Sequence, residues 1–146
     1  MSIPDGDKFL ILENNFWKAF LMTDQTYLGR CVVTLKRRDC GDLADLTSEE
    51  LLDFHQAVKK LERAYRKAFG ATMFNWACLM NLAYQRTPPD PHVHWHCRPR
   101  YDHAVSFAGL EFVDSNFGQH YKRSTNRDVG DEVKKLITEE IKKAVD

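Results

Sequence analysis

Three of the six histidines in this 146-residue chain fall within five positions, as His92-Val93-His94-Trp95-His96. On a β-strand, side chains alternate between faces. His92, His94 and His96 would then share one face, and Val93, Trp95 and Cys97 the other. The second set makes a good core face. The first is a row of imidazoles, each roughly 7 Å from the next at the Cα.

Three readings of that row are open. One is an exposed polar face with no task. A second is a transition-metal site, since neutral imidazole is a common ligand. The outer pair is roughly 13 Å apart at the backbone, so one ion would need a bent strand or a distant further ligand. The third makes the central imidazole a nucleophile: neutral at pH 7, it has a lone pair free to attack phosphorus. Its neighbours would orient it, donate hydrogen bonds to phosphoryl oxygens and stabilise the charge that builds there. Arg98 and Arg100, which follow at once, would add anion affinity. The nucleophile reading is favoured because it alone uses all three histidines.

The elements that must position this row belong to an ordinary globular chain. Its length suits one domain with a real core, and 43% apolar and 29% charged residues exclude disordered and fibrous classes. With 21 basic and 21 acidic residues, the net charge of zero argues against bulk binding to nucleic acid or to an anionic membrane. No apolar run approaches the roughly 20 residues of a membrane span. The start, MSIPDGDKFL, has neither the basic opening nor the apolar stretch of a secretory leader, so a cytoplasmic location is expected. Cys31, Cys40, Cys78 and Cys97 form no CxxC pair and are read as free thiols.

Lys8–Glu13 and Phe16–Met22, separated by Asn14-Asn15, read as an antiparallel strand pair, and Arg30–Lys36 after Gly29 as a more central strand. Thr47-Ser48-Glu49-Glu50 is a capping box. It opens a helix whose apolar face is Leu51, Phe54, Val58, Leu61, Tyr65 and Ala68, with Gly70 as its stop. Met73–Asn81 is expected as a core strand. The Gln85–Pro91 stretch is then a rigid non-helical crossing, His92–Cys97 a strand ended by Pro99, and Leu110–Val113 a further strand. A final helix from about Asp128 to Val145 would bury Val133, Leu136, Ile137, Ile141 and Val145. The order points to an α+β fold with an antiparallel sheet.

The run His92-Val93-His94-Trp95-His96-Cys97-Arg98-Pro99-Arg100 resembles the signature of the histidine triad (HIT) superfamily. The trailing Pro-Arg is closest to its fragile-histidine-triad, dinucleoside-polyphosphate-hydrolase branch. The order of elements agrees over roughly residues 8–100. The resemblance implies an α+β fold with a five-stranded antiparallel sheet and two main helices, in a single domain over residues 1–146. The core would run from about 8 to 113, and an extension with an extra C-terminal helix from about 114 to 146. It also implies a homodimer and chemistry at the α-phosphate of a nucleotide, for example a dinucleoside polyphosphate, through a covalent nucleotidyl-histidine. His94 would be the nucleophile, with His92 orienting it and His96 contacting the phosphate or the leaving oxygen. Asn81, eleven residues before His92, matches a phosphate-holding asparagine.

This sequence departs from the pattern in three places. Pro88-Pro89-Asp90-Pro91 stands where the family often has Gly-Gln-Ser/Thr, so Gln85, Arg86 or Thr87 would take over the phosphate grip. Arg30 and Asp39 stand where the family has histidines. The phosphate-binding set is thus Asn81, Arg30, Arg100, Gln85 and Thr87. No cofactor is required, no metal is bound by the protein, and Mg²⁺ is expected at most as a counter-ion of the substrate. Neither nucleic acid nor membrane is expected as a partner. The alternatives are a nucleotide-binding module with little catalysis, or a His-ligated metal protein.

Elsewhere, Lys36-Arg37-Arg38 reads as a solvated strand end more than as a polyphosphate contact, and Thr23 or Asp24 as a ribose contact. Trp17 and Trp76 read as core, His55 as surface, Cys97 and Tyr101 as structural, and His103 and His120 as lying away from the site.

Overall fold

The computed structural model describes residues 6–146. The opening stretch read above for a leader therefore lies in part, over residues 1–5, outside the described residues. Strands β1 (Leu10–Glu13), β2 (Trp17–Leu21), β3 (Cys31–Leu35), β4 (Met73–Ala77) and β5 (His94–Arg100) form one antiparallel sheet. Their order across it is β1-β2-β3-β5-β4. A separate hairpin joins β6 (Val105–Phe107) to β7 (Leu110–Phe112). Helices α1 (Ser48–Phe69) and α2 (Asp131–Val145) complete the fold; among the described residues the C-terminal helix is the second of the two and not an addition to them.

The capping box forms as expected. Thr47 Oγ1 accepts from Glu50 N (3.1 Å) and Glu50 Oε1 accepts from Thr47 N (2.9 Å). Gly70 closes α1 in the left-handed conformation, φ 69°. The buried stripe is Ala57, Leu61, Ala64, Tyr65 and Phe69, rotated from the expected one, and Leu51 is exposed. In α2, Ile137, Ile141 and Ala144 face the core, while Leu136 is exposed. Lys134 takes a buried place instead, its ammonium 3.2 Å from Asp131 and 5.0 Å from the Phe9 ring centroid.

Both helices pack with one side of the sheet, where Trp17, Leu21, Val33, Leu35 and Cys97 meet Leu61, Tyr65, Ile137 and Ile141. Trp95, on the same side, stacks on Phe54 with ring centroids 4.8 Å apart. The opposite side carries a small apolar cluster of Phe20, Met22 and Val32. It continues across β5 as His94, His96 and Arg98.

Three boundaries differ from expectation. Met73–Asn81 is a strand only to Ala77, and Asn81–Gln85 is a short 3₁₀ turn. His92 precedes β5 instead of lying on it. Pro99 does not end β5. Arg100 O accepts from Thr72 N, so the Arg100 backbone faces β4 and that of Pro99 faces the other way. On that side β3 stops at Cys31, opposite Cys97, and no strand among the described residues needs the missing N–H.

Gly29 positions the start of β3. Its φ is +90°, and a Cβ there would lie 2.5 Å from Cε1 of Tyr65. The Tyr65 hydroxyl donates to Gly29 O at 2.6 Å. The next residue, Arg30, is thereby aimed at the opposite side of the sheet.

Candidate active site

A cleft of about 1090 Å³ lies on the face away from the helices, and His92, His94 and His96 all line it. His92 holds its ring by Nε2, which donates to Arg37 O at 2.9 Å. His94 Nδ1 lies 2.7 Å from His92 O. A carbonyl can only accept, so Nδ1 carries the proton, and the neutral ring keeps its lone pair on Nε2. The triad therefore contains one imidazole with a fixed tautomer and a free basic nitrogen.

His96 is different. It is 5% exposed, and its ring centroid lies 5.1 Å from that of His94, edge to face. Burial first, then the like charges of His94, Arg30 and Arg98, push its pKa down from 6.5 to about 3. It stays neutral through the physiological range, with one N–H to offer an anion. Its folded value lies below its unfolded one, so the unfolded chain binds more protons between about pH 6.5 and 3, and stability falls as pH drops through that window.

Depressed carboxylates, Asp24 and Glu50 the most strongly, add their own loss at lower pH. Burial raises Asp24, but hydrogen bonds from Thr125, Thr26 and Arg127 N–H outweigh it and hold it at about 2, against 3.8. Glu50 is held at about 2, against 4.5, by the Arg37 guanidinium. Between pH 6.5 and 5 the largest resolved contribution to the slope is that of His96. Urea unfolding of the wild type there should show up to about 1.4 kcal/mol lost per pH unit. His96→Asn should lose that slope. A variant that keeps all of it would show that the His96 imidazole is not the titrating group.

Of the expected phosphate ligands, Asn81, Gln85 and Arg30 line the cleft. Asn81 and Gln85 come from the two ends of the 3₁₀ turn. Arg30 is buried, its Nη1 3.0 Å from Asp24 Oδ2. Thr87 does not line the cleft; it is exposed, ahead of the cis Thr87–Pro88 bond. Arg100 is also corrected. It shares the strand face but is locked to Asp114 (Nε–Oδ2 2.7 Å, Nη2–Oδ1 3.1 Å), with Nη1 on Asn75 Oδ1 and Gln119 O and Nη2 on Asn116 O. Its guanidinium is spent on holding the chain after β7.

Asp24 is likewise committed, to Arg30, Thr26, Thr125 and Arg127 N–H. Arg37 pairs with Glu50 at the start of α1, whereas Arg38 lines the cleft. Sequence reasoning missed Tyr121 and Arg123, which wall the cleft from the segment after β7. No local pattern marks them, because hydrogen bonds to Tyr27 and Asp24, about a hundred residues earlier, bring that segment in. Among the described residues, no three His, Cys, Asp or Glu side chains converge as a metal site, and no helix is long and apolar enough to cross a membrane.

A family model described as the HIT domain matches residues 4–103. A bis(5'-nucleosyl)-tetraphosphatase (asymmetrical) of Schizosaccharomyces pombe is 29% identical over 104 residues, 69% of this chain and 57% of that relative. The chain thus spans little more than half the length of that relative. A histidine triad protein of Sinorhizobium meliloti superposes with a TM-score of 0.71 at 16% identity, covering 92% of this chain and 87% of the other. The Plasmodium falciparum diadenosine triphosphate hydrolase, solved with cyclomarin A, does so with 0.64 at 17%, covering 94% and 76%. At these identities the structural likeness is one of fold.

Proposed function

The chain belongs to the HIT domain family, and on that premise we propose that it is a nucleotide hydrolase or nucleotidyltransferase acting at the α-phosphate through a nucleotidyl-histidine on His94. The observation that carries this reading is the 2.7 Å hydrogen bond from His94 Nδ1 to His92 O, which places the lone pair of the neutral ring on Nε2, in a side chain that lines the cleft.

In the first step the Nε2 lone pair forms a bond to the α-phosphorus. The bond to the leaving oxygen breaks, and that oxygen departs with the electron pair. The Nδ1 proton stays against the His92 carbonyl and steadies the imidazole as its ring becomes cationic. In the second step water attacks the same phosphorus and loses a proton to solvent, the N–P bond breaks with its electron pair returning to Nε2, and a nucleoside monophosphate leaves. Neutral His96 donates its N–H to a phosphoryl or leaving oxygen, and Asn81, Gln85 and Arg30 hold the remaining oxygens. The protein supplies no metal to this scheme, and Mg²⁺ enters only as a counter-ion of the substrate. A dinucleoside polyphosphate is the favoured substrate class, given the name of the fission-yeast relative. A homodimer is the expected assembly.

The test is a product analysis with dinucleoside polyphosphates, nucleoside phosphoramidates and nucleotide sugars, followed by acid quench of a single turnover. Release of nucleoside monophosphate from at least one class, with label trapped on the protein, is expected. Nucleotide binding without turnover in any class would replace the enzyme by a binding module.

A further inference from the structure

The period-two row on β5 does not end with the triad. His94 and His96 are followed on the same face by Arg98, which also lines the cleft. Arg98 is 8% exposed, and its Nε is buried with no hydrogen-bond partner among the described residues. No carboxylate among the described residues pairs with it. Its guanidinium carbon instead lies 3.9 Å from the centroid of the Tyr121 ring. A buried cation without a charged partner is costly unless an anion arrives to pair with it.

Its surroundings sharpen the point. Arg30, also 8% exposed, lines the same cleft, and its positive charge opposes that of Arg98. Asp24 lies 3.0 Å from Arg30 and already accepts from Thr26, Thr125 and the Arg127 N–H. Arg123, on the rim, adds a further positive charge. This end of the cleft therefore gathers three guanidinium groups, of which Arg98 has no carboxylate partner among the described residues.

That holding is done by a segment outside the family match at residues 4–103. Lys122 N donates to Tyr27 Oη (2.8 Å), Thr125 Oγ1 to Asp24 (2.6 Å), and Arg100 grips Asp114 and the carbonyls of Asn116 and Gln119. Tyr121 thus meets Arg98 on a pinned backbone. Along β5 the order is nucleophile, His96, Arg98, and the last lies roughly 13 Å from the first at the backbone. A chain of phosphates can span that row.

We propose that Arg98, backed by Tyr121 and flanked by Arg30 and Arg123, binds the phosphates of a polyphosphate leaving group, beyond the phosphorus that His94 attacks. This rests on the reading of His94 as the nucleophile. It goes further in assigning the leaving-group side of the cleft and in making this chain selective for anionic leaving groups.

The test compares wild type, Arg98→Met and Arg123→Gln on two substrates with the same adenosine 5′-phosphoryl group. One is diadenosine tetraphosphate, and the other a phosphoramidate whose leaving group is an uncharged amine. In Arg98→Met the ratio of kcat/KM, tetraphosphate over phosphoramidate, should fall about 10- to 100-fold. In Arg123→Gln, an exposed position that does not endanger folding, it should fall about threefold. Calorimetric titration with inorganic tripolyphosphate gives a readout independent of turnover, with the wild type binding and Arg98→Met binding correspondingly weaker. An unchanged ratio in both variants, or equal tripolyphosphate affinity in wild type and Arg98→Met, overturns the proposal. If the wild type turns over neither substrate but binds tripolyphosphate through Arg98, the reaction assigned to His94 fails while the phosphate subsite stands.

Discussion

Replacing His94 with alanine is expected to cut turnover of the preferred nucleotide by roughly 10⁴-fold or more, with little change in thermal stability. The ring is partly exposed in the cleft, and the bond it loses is one donation to the carbonyl of His92, itself a partly exposed residue. Removing it therefore leaves no buried group stranded, and the cost falls on the chemistry. His94→Gly opens a slot in which added imidazole should restore part of the rate, because the free base supplies the same nitrogen lone pair. Single-turnover kinetics with labelled nucleotide, beside a melting curve, separates the two effects. Turnover that survives in His94→Ala would remove His94 as the nucleophile, and with it the covalent route.

Arg100→Met is expected to do the reverse. Arg100 and Asp114 side chains are each 2% exposed and meet at 2.7 Å. Truncating the guanidinium strands a buried carboxylate and frees the carbonyls of Asn116 and Gln119 at once. Breaking such a pair from one side typically costs about 3–5 kcal/mol, or on the order of 10 °C in Tm for a domain of this size. The double replacement Arg100→Met with Asp114→Leu should recover much of that loss, since no unpaired charge remains. Denaturant unfolding should show a lower midpoint with an unchanged slope. A variant as stable as wild type but weaker for phosphate would return Arg100 to the binding site, where its sequence position had placed it.

The contrast between Arg98 and Arg100 shows how far local pattern reaches. Both follow the triad at period two, and both read as anion ligands. The strand sets which face they share. It does not say that Asp114 waits beneath one of them and a tyrosine ring beside the other. The α1 ends were legible for the opposite reason: a capping box and a left-handed glycine are satisfied within three or four residues of themselves. Leu136 was misplaced because a period of 3.6 tolerates a rotated stripe, and packing against Phe9 and the sheet chose a rotation that buries Lys134 instead. Of the β6–β7 hairpin only β7 was expected; β6 has three residues, too few to register as alternation, and the turn between them places Ala108 as well as Gly109 at positive φ. The turn at Asn81–Gln85 was hidden in an apolar run that reads equally well as strand.

What the amino-acid order determined by itself is the reactive row. Alternation of imidazoles with Val93, Trp95 and Cys97 requires one face inside and one facing a ligand, and apolar burial drives that split wherever the strand sits in the sheet. Only the tertiary structure decided which cation is free to meet phosphate and which is used to hold the chain. It also decided that His96 is neutral and that Tyr121 belongs to the site. The physical reason is that charge pairing and desolvation depend on groups far away in the chain, and no spacing rule carries that information.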